Sequence, residues 1–179
     1  EQKTHEGLIE LFSGHDIDRE YEAIARSSKL PEKRTLESLI GRHPSNRLKM
    51  STQIKHGKTA ITHISNQMQY TYFAHTKVKL ETGRTHQIRA HMKHIGHVLF
   101  NDFDYGGDSV LKGTTFTKYK QFVQNCFKII PRQALHAKTL GFEHPYTGEM
   151  MQFTSELPTD FKEVLEKWEN YAKNSIEFE

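Results

Sequence analysis

The C-terminal part of the sequence contains the clearest helical pattern in the chain, and this pattern requires a second layer of structure to cover it. Pro158 and Thr159 form a typical helix start, and apolar side chains recur at helical spacing after them. These apolar side chains are Phe161, Val164, Leu165, Trp168 and Tyr171. Residues spaced in this way share one face of a helix, and so large a face is stable only when it is buried. We therefore predict that this stripe is core and has no cofactor-binding role.

An upstream segment shows the alternation that is typical of a half-buried strand. In TKVKLET (76–82), the apolar Val78 and Leu80 alternate with lysine and glutamate, so one face of the strand meets water. This segment belongs to a strand predicted at 70–82, and further strands are predicted at 19–25, at 59–66 and on both sides of the turn HPYTGE. Together with the C-terminal helix, these strands predict an α+β fold: a mixed, mainly antiparallel sheet with packed helices. The length fits a single domain over residues 1–179.

Other segments complete the predicted architecture. GLIELFSG predicts a short helix that ends at its final glycine, and the segment 26–58 is predicted to be mostly irregular and basic. A helix is predicted over His86–Ile95, with Thr85 as its N-cap and Gly96 as its stop. Its buried stripe would consist of Ile88, Met92 and Ile95. A glycine-rich loop at DYGGD is followed by a longer polar connection, and Gly148 can supply a positive φ in HPYTGE.

Composition excludes several classes of protein. A hydrophobic content of 35% and a charged content of 26% are ordinary for a globular protein and unlike those of a disordered one. No apolar run approaches membrane-spanning length, and the polar start EQKTHEG does not resemble a signal peptide. The single Cys126 excludes an internal disulfide and fits a reducing compartment, as a buried thiol rather than a nucleophile. We therefore expect a cytoplasmic protein.

The charge is unevenly distributed along the chain, although the net charge is only +3. Residues 26–58 carry nine Lys or Arg against two Glu, a local balance of +7. Residues 141–179 carry nine Asp or Glu against three Lys, a balance of −6. Such asymmetry predicts one face that binds a polyanion, with a solvated basic loop as the alternative.

The stretch LETGRTHQIRAHMKHIGH (80–97) concentrates two arginines and four of the twelve histidines of the chain. Arg84 lies directly before the predicted helix, where free backbone N–H groups and the helix dipole favour an anion, so we expect a phosphate contact there. Arg89 lies one turn into that helix, beside the predicted buried residue Ile88. An enclosed arginine needs a carboxylate or phosphate partner, because an isolated buried charge is costly.

The histidines of this stretch could instead be metal ligands. His91 and His94 lie three residues apart, as do His94 and His97, but the stretch contains neither a cysteine nor an HExxH spacing. We therefore predict no metal site, and we expect these histidines to face solvent or RNA. Insensitivity to chelators would exclude the rival interpretation of a metal-dependent hydrolase.

Four segments of this sequence resemble those of the RluA-type RNA pseudouridine synthases. LETGRTHQIRAHMKHIGHVLFNDFDYGG is similar to the third signature block of that family, and REYEAIA is similar to its tyrosine-bearing block. RQALHAKTLGFEHPYTGE resembles the C-terminal block. GRHPSNRLKM is similar to the basic loop of the branch that acts on large ribosomal subunit RNA. The blocks follow the order of the family and span nearly the whole chain.

The resemblance implies an RNA-modifying active site. Enzymes of this family isomerise uridine to pseudouridine in RNA without a metal or organic cofactor, after flipping the nucleotide into a pocket. Tyr21 corresponds to the tyrosine that stacks on the uracil and assists proton movement, and Arg89 to the arginine that keeps the catalytic aspartate ionised. Ile88 corresponds to a hydrophobic neighbour in the pocket. The further residues expected to bind the substrate are Arg84, His86, Arg42 and Arg47. The expected partner is ribosomal RNA, with transfer RNA as the alternative, and no membrane.

The aspartate that the family requires lies in an HRLD-type block upstream of the tyrosine, and this chain does not contain that block. Asp16 and Asp18 precede the tyrosine strand without that context. Asp102 and Asp104 lie in NDFDYGG, where a structural role is expected. None of the four is predicted to be the nucleophile.

Two explanations follow for the missing aspartate. The chain is either the C-terminal part of a synthase domain whose N-terminal part carries the aspartate, or a catalytically inactive relative that binds RNA. We favour the first, because a working site needs both Tyr21 and Arg89. It predicts apolar residues on an exposed sheet edge. An RNA-binding module of another class would use stacking aromatics such as those of YTYF (70–73), although such residues are more often core.

Overall fold

The structure is a computed structural model that describes residues 2–14, 17–110 and 117–176. The helices of this described part are α1 (Gln2–Gly14), α2 (Gln87–His94), α3 (Thr117–Ile129) and α4 (Thr159–Ile176), with a 3-10 turn at Phe103–Tyr105. Its strands are β1 (Asp18–Arg26), β2 (Lys33–Arg42), β3 (Met50–Ser51), β4 (Lys58–Gln69), β5 (Phe73–Leu80), β6 (Leu135–Glu143) and β7 (Met150–Thr154).

All these strands join one sheet in the order β3-β2-β4-β5-β1-β6-β7. Every described pairing within it is antiparallel, which agrees with the predicted α+β class. β1 lies inside the sheet between β5 and β6, and Tyr21 is opposite Val78 on one side and Ala137 on the other. The tyrosine-bearing strand is therefore held by backbone hydrogen bonds along both edges.

Each face of the sheet is covered by a separate hydrophobic cluster. One cluster contains the buried side chains of α3 and α4 packed on Ile24, Phe73 and Phe100. The other cluster packs Ile88 and Met92 of α2 against side chains of β1, β4 and β5. Since successive side chains of a strand point to opposite faces, β1 contributes to both clusters.

The predicted C-terminal helix is confirmed, and it begins at Thr159 as expected. Phe161, Val164 and Trp168 are fully buried in the cluster that α3 and α4 share. Two aromatic residues of YTYF, Tyr70 and Phe73, belong to the same cluster, so the core interpretation of that segment is correct. No helix of the described chain is both long enough and apolar enough to cross a membrane.

The segment 26–58 is more regular than predicted, because it contains β2 and the short β3. In β2 the side chains of Leu36 and Ile40 are the buried ones, whereas Leu39 is exposed and most of the other positions are polar and solvent-exposed. A strand with so few core-facing residues resembles a basic loop in composition, which explains the wrong prediction. It is stabilised by its ladder to β4, which runs from Lys33 opposite Ser65 to Ile40 opposite Lys58.

Helix α3 lies where the sequence predicted a polar connection. Its buried residues Tyr119, Val123 and Cys126 recur at helical spacing, whereas its other faces are polar. Cys126 is buried, as predicted, and burial raises the pKa of its thiol to about 11. Residues 111–116 of the same connection lie outside the described chain.

The turn between β6 and β7 forms as predicted, with Gly148 at a φ of 72°. β7 ends the sheet order, and its Met150 and Phe153 are 74% and 50% exposed. Apolar residues therefore lie on an exposed edge of the sheet, and pairing of a further part of the domain with such an edge stays a prediction.

Candidate active site

The loop between β5 and α2 is organised by Gln87, which the sequence did not single out. Its buried side-chain oxygen accepts hydrogen bonds from the Arg84 backbone N–H at 2.9 Å and from the Thr82 hydroxyl at 2.8 Å. Its side-chain nitrogen donates to the Ile61 carbonyl at 3.0 Å and to the Thr62 hydroxyl at 2.9 Å. One amide therefore ties the loop to β4, and this fixes the direction in which α2 leaves the sheet.

Helix α2 starts differently from the prediction. His86, and not Thr85, is the N-cap residue, with a left-handed φ of 51° and no side-chain capping hydrogen bond. The helix begins at Gln87, and its N-terminal residues are almost all buried instead of forming a narrow stripe. The prediction of Thr85 as the N-cap is therefore wrong, and the side chain of Gln87 bonds to Thr82 and Arg84 in the loop before the helix.

Arg89 is enclosed and has carboxylate partners, as the argument about buried charge predicted. Its Nε donates to Asp102 Oδ2 at 2.8 Å and its Nη2 to Asp102 Oδ1 at 2.6 Å. The same Nη2 donates to Asp104 Oδ2 at 2.6 Å. The side chain of Asp102 is 0% exposed and that of Asp104 is 39% exposed. Arg89 therefore connects one buried carboxylate with one that remains accessible to solvent.

The electrostatics of this cluster follow from its geometry. Hydrogen bonding to Asp102 raises the pKa of Arg89, so the guanidinium remains charged. Its hydrogen bond to Asp104 lowers the pKa of that carboxyl. Burial, and then the charge of Arg89, lower the pKa of His86, which favours the neutral imidazole.

The neutral His86 has a defined tautomer, because arginine can only donate hydrogen bonds. Arg89 Nη1 donates to His86 Nε2 at 3.0 Å, so the ring proton is on Nδ1. Nδ1 lies 3.1 Å from the Tyr105 hydroxyl and donates to it. That hydroxyl also accepts from the Met50 backbone N–H at 2.9 Å and donates to the Met50 carbonyl at 3.3 Å. A continuous chain of hydrogen bonds thus links Arg89 with the start of β3.

The turn that carries Asp102 is held by tight backbone packing. The N–H of Gly107 donates to the Asp102 carbonyl at 2.7 Å, and the N–H of Asn101 donates to the Gly107 carbonyl at 3.0 Å. A Cβ on Gly107 would overlap the Leu99 carbonyl oxygen and lie 2.8 Å from the Asp102 nitrogen. Asn101 Nδ2 donates to the Ile130 carbonyl at 2.7 Å, which anchors the turn beside the end of α3.

Tyr21 and Ile88 lie in the same hydrophobic cluster, with Tyr21 half-buried at its edge and Ile88 4% exposed. Arg89, the next residue in α2, points towards the turn at Asp102. The structure therefore brings the tyrosine and the hydrophobic pocket residue to one face of the sheet. The guanidinium that pairs with Asp102 is that of Arg89, which belongs to the same short helix as Ile88.

A second guanidinium lies on the strand of Tyr21. Nε and Nη2 of Arg19 are buried and have no hydrogen-bond partner within the described residues. A Cβ on Gly83 would lie 2.6 Å from that Nη2, so the loop before α2 passes directly over this arginine. Arg19 was not predicted to belong to the site. Its position two residues before Tyr21 in a strand nevertheless places both side chains on one face of the sheet.

The remaining predicted RNA-binding residues lie in two places. Arg84 Nε donates to the Thr59 carbonyl at 3.0 Å, which positions this side chain at the start of β4. Arg42, the last residue of β2, and Arg47, in the β2–β3 connection, are exposed, and Arg42 Nη1 donates to the Arg47 carbonyl at 2.8 Å. Contact of these residues with RNA stays a prediction.

His91 does not face solvent or RNA, which corrects the prediction for this residue. It is 1% exposed, and its ring nitrogens lie 2.9 Å from the Ser38 hydroxyl and 2.8 Å from the Thr62 hydroxyl. Burial lowers its pKa to about 4, so it is a neutral core residue near neutral pH. His94 is exposed, as predicted. The described residues contain no group of three or more His, Cys, Asp or Glu that could hold a metal ion.

The other candidate carboxylates lie away from Arg89 or outside the described chain. Asp18 is largely exposed and forms an ion pair with Lys79 at 2.8 Å. Asp16 lies outside the described residues. Asp102 and Asp104 are the described carboxylates that pair with Arg89.

Comparison of the sequence with those of known proteins finds similarity to RNA pseudouridine synthases. Residues 1–94 match the family model described as RNA pseudouridylate synthase. The chain is 39% identical over 163 residues to an uncharacterized RNA pseudouridine synthase of Chlorobaculum parvum, covering 89% of this chain and 50% of that protein. It is 42% identical over 158 residues to ribosomal large subunit pseudouridine synthase D of Haemophilus influenzae, covering 88% of this chain and 47% of that protein. The chain spans about half the length of the curated relatives that it matches.

A solved structure shares the fold. Human RNA pseudouridylate synthase domain containing 4 superposes with a TM-score of 0.68 at 17% sequence identity, covering 94% of this chain and 69% of that one.

Proposed function

This chain belongs to the RNA pseudouridylate synthase family, and from that premise we propose that it forms part of an active site that isomerises uridine to pseudouridine in ribosomal RNA. The observation that carries the proposal is the enclosed Arg89, whose charge is fixed by two carboxylates. It is supported by the position of Ile88 and Tyr21 in one cluster on the same face of the sheet.

Arg89 is suited to hold a carboxylate in its ionised form. Its hydrogen bond already lowers the pKa of the partly exposed Asp104, and a nucleophilic aspartate at this site needs the same effect. We assign to Tyr21 the stacking on the flipped uracil and a role in proton movement, and to Ile88 the apolar wall of the pocket.

We propose that the catalytic aspartate lies in an N-terminal part of the same domain, outside these 179 residues. The length of the relatives supports this assignment, because the chain spans about half of them. Asp102 is a poor substitute, since its side chain is 0% exposed and both of its oxygens are bonded to Arg89. A cytoplasmic location agrees with the buried free thiol of Cys126.

We propose that Arg84, His86, Arg42 and Arg47 bind the substrate. The exposed Arg42, at the end of β2, and Arg47, in the β2–β3 connection, suit phosphate contacts. The relatives named for the large ribosomal subunit favour ribosomal RNA as the partner.

The test measures pseudouridine formation by the natural polypeptide that contains this sequence. Tritium release from labelled uridine in ribosomal RNA reports the isomerisation, and RNA affinity is measured in parallel. We expect formation by the wild type and its loss in Arg89→Ala, with RNA affinity reduced less than fivefold. Tyr21→Phe should retain RNA binding and lose most of the rate.

The outcomes separate the two candidate functions. If the natural polypeptide binds ribosomal RNA and forms no pseudouridine in any RNA tested, the chain is a catalytically inactive RNA-binding relative. If Arg89→Ala keeps the wild-type rate, the assignment of Arg89 to the active site is wrong.

A further inference from the structure

A cleft of about 410 Å³ opens beside the Arg89 cluster, between the β2–β3 connection, α2 and the 3-10 turn. The side chains that matter for its chemistry are His43, Lys49, Lys93, His94, Phe103 and Tyr105. Its volume lies within the range of small-molecule binding sites. None of the roles assigned above to Tyr21, Ile88 or Arg89 uses this cleft.

The lining of the cleft is cationic. Lys49 and Lys93 both line the cleft, and the Lys93 ammonium lies beside Gly106, which also lines it. Within the described part of the chain neither lysine forms an ion pair. Asp104 is the one acidic side chain of the lining, and its carboxylate is bonded to Arg89. The charge of Lys49 contributes to the low pKa of Asp104, so the two groups are close enough to interact. The cleft therefore favours an anion.

An exposed aromatic ring, that of Phe103, lines the same cleft. Phe103 is 79% exposed, whereas Phe73, Phe100 and Phe161 are buried in the core. It is the first residue of the 3-10 turn, and the carboxylate of Asp102 caps that turn by accepting a bond from the Tyr105 N–H. The ring is thus exposed on a backbone that is fixed by the Arg89–Asp102 pair. A rigid aromatic face beside cations is the arrangement with which proteins bind single-stranded nucleic acid.

The cleft is physically connected to the candidate active site. Tyr105 lines the cleft, and the Arg89 guanidinium lies 4.8 Å from the centroid of the Tyr105 ring. The hydroxyl of Tyr105 bonds to His86 and to the backbone of Met50, on the wall formed by β3. A ligand in the cleft would therefore be separated from Arg89 by the side chain of Tyr105.

We propose that this cleft binds an unpaired nucleotide of the substrate RNA next to the target uridine. The base stacks on Phe103, and the phosphate is held by Lys49 and Lys93. This inference rests on the proposed function, because it assumes that the chain binds RNA. An acidic peptide is less suitable, since its carboxylates could use the lysines but would leave the flat face of Phe103 unused.

The test combines a protein variant with an RNA variant. The affinity of the natural polypeptide is measured for a ribosomal RNA fragment that contains the target uridine, and for versions of it in which each neighbouring nucleotide is made abasic. We expect Phe103→Ala to weaken binding roughly tenfold, in the range found for loss of one stacked base. At one neighbouring position the abasic RNA should weaken the wild type by a similar factor and should leave Phe103→Ala unchanged.

Two control variants make the result specific. Phe153→Ala removes another exposed ring, on β7, and should leave affinity unchanged. Phe103→Tyr keeps an aromatic face and should retain most of the affinity. Lys93→Gln should weaken binding and reduce its salt dependence.

The failure of this inference can be told apart from the failure of the proposed function. If the wild type binds RNA, and Phe103→Ala binds every abasic RNA with the same relative loss as the wild type, the cleft does not hold a base. If acidic peptides displace the RNA and lose affinity equally in Phe103→Ala, the occupant is a peptide and the inference is wrong. If the wild type binds no RNA, both the cleft assignment and the proposed function are refuted.

Discussion

Arg89 and Asp102 form a buried ion pair with two parallel hydrogen bonds, of 2.8 Å from Nε and 2.6 Å from Nη2. The side chains of this pair are 10% and 0% exposed. Two bonds of this kind fix both the position and the plane of the guanidinium. The pair joins α2 to the turn at 102–107 and so determines where Arg89 can present its remaining N–H groups.

Removing Asp102 should destabilise the fold. Asp102→Ala leaves a buried guanidinium with fewer partners, and we expect the free energy of unfolding to fall by about 3–5 kcal/mol. Asp104→Ala removes a carboxylate that is 39% exposed, and it should cost less than about 1 kcal/mol. Urea unfolding of both variants measures the difference. Equal losses of unfolding free energy in the two variants would mean that burial of the Arg89–Asp102 pair does not determine how strongly it stabilises the fold.

Substitution of Gly107 should disrupt the same turn from the backbone. A Cβ at this position would overlap the Leu99 carbonyl oxygen, which cannot move without breaking the turn. We expect Gly107→Ala to lower the free energy of unfolding by about 3 kcal/mol or more. In the control Gly141→Ala, the nearest atoms to the new Cβ lie 3.6 Å and 3.8 Å away, so its effect should stay within about 1 kcal/mol. Thermal unfolding that is equal for the two variants would contradict this account.

The parts of the fold that the sequence predicted are those in which one element carries its own periodic pattern. The stripe from Phe161 to Trp168 is visible in the sequence because residues three or four positions apart in the helix meet the same core. β2 was missed because its buried residues are only Leu36 and Ile40, and a pattern of two apolar residues does not distinguish a strand from a loop.

The sequence predicted that Arg89 has a carboxylate partner, but it did not predict which carboxylate. An arginine beside Ile88 implied a carboxylate, but the choice of Asp102 depends on a turn closed by Gly107, which spacing in the sequence does not encode. His91 was wrongly placed at the surface because its partners, Ser38 and Thr62, come from two strands that are distant in sequence.

The buried His91 should make the stability of the protein depend on pH. Its pKa is about 4 in the folded protein, below the usual value of 6.5, so the unfolded chain binds more protons between these values. Stability should therefore be full above pH 6.5 and fall as the pH decreases towards 4, by up to about 1.4 kcal/mol per pH unit. The pKa values of His86 and His97 are lowered as well, and they contribute in the same direction.

Comparison of two variants isolates this contribution. His91→Gln should reduce the slope of stability against pH between pH 4 and 6.5, whereas His56→Gln, at an exposed position away from His91, should leave it unchanged. Urea unfolding at a series of pH values provides the measurement. A slope that persists in His91→Gln would show that other groups control the acid sensitivity.

RNA affinity should depend to different degrees on Arg42, at the end of β2, and on Arg47, in the β2–β3 connection. Arg47 is exposed, and its carbonyl accepts a hydrogen bond from Arg42 Nη1. Arg47→Ala should therefore weaken RNA binding and lower the slope of log affinity against log salt by about 0.7 to 0.9. Arg42→Ala removes a charge and also the 2.8 Å bond that holds the connection, so its loss of affinity should be larger at every salt concentration.

The control for these variants is Lys162→Gln, which removes a charge from the exposed surface of α4 in the acidic C-terminal part of the chain. It changes the net charge by the same amount as Arg47→Ala. Anisotropy titrations at several salt concentrations measure all three. If Lys162→Gln changes the salt slope as much as Arg47→Ala does, RNA responds to net charge alone, and the basic connection is not a binding face. A change confined to the arginine variants would place RNA phosphates on the connection that leads into the cleft at Phe103.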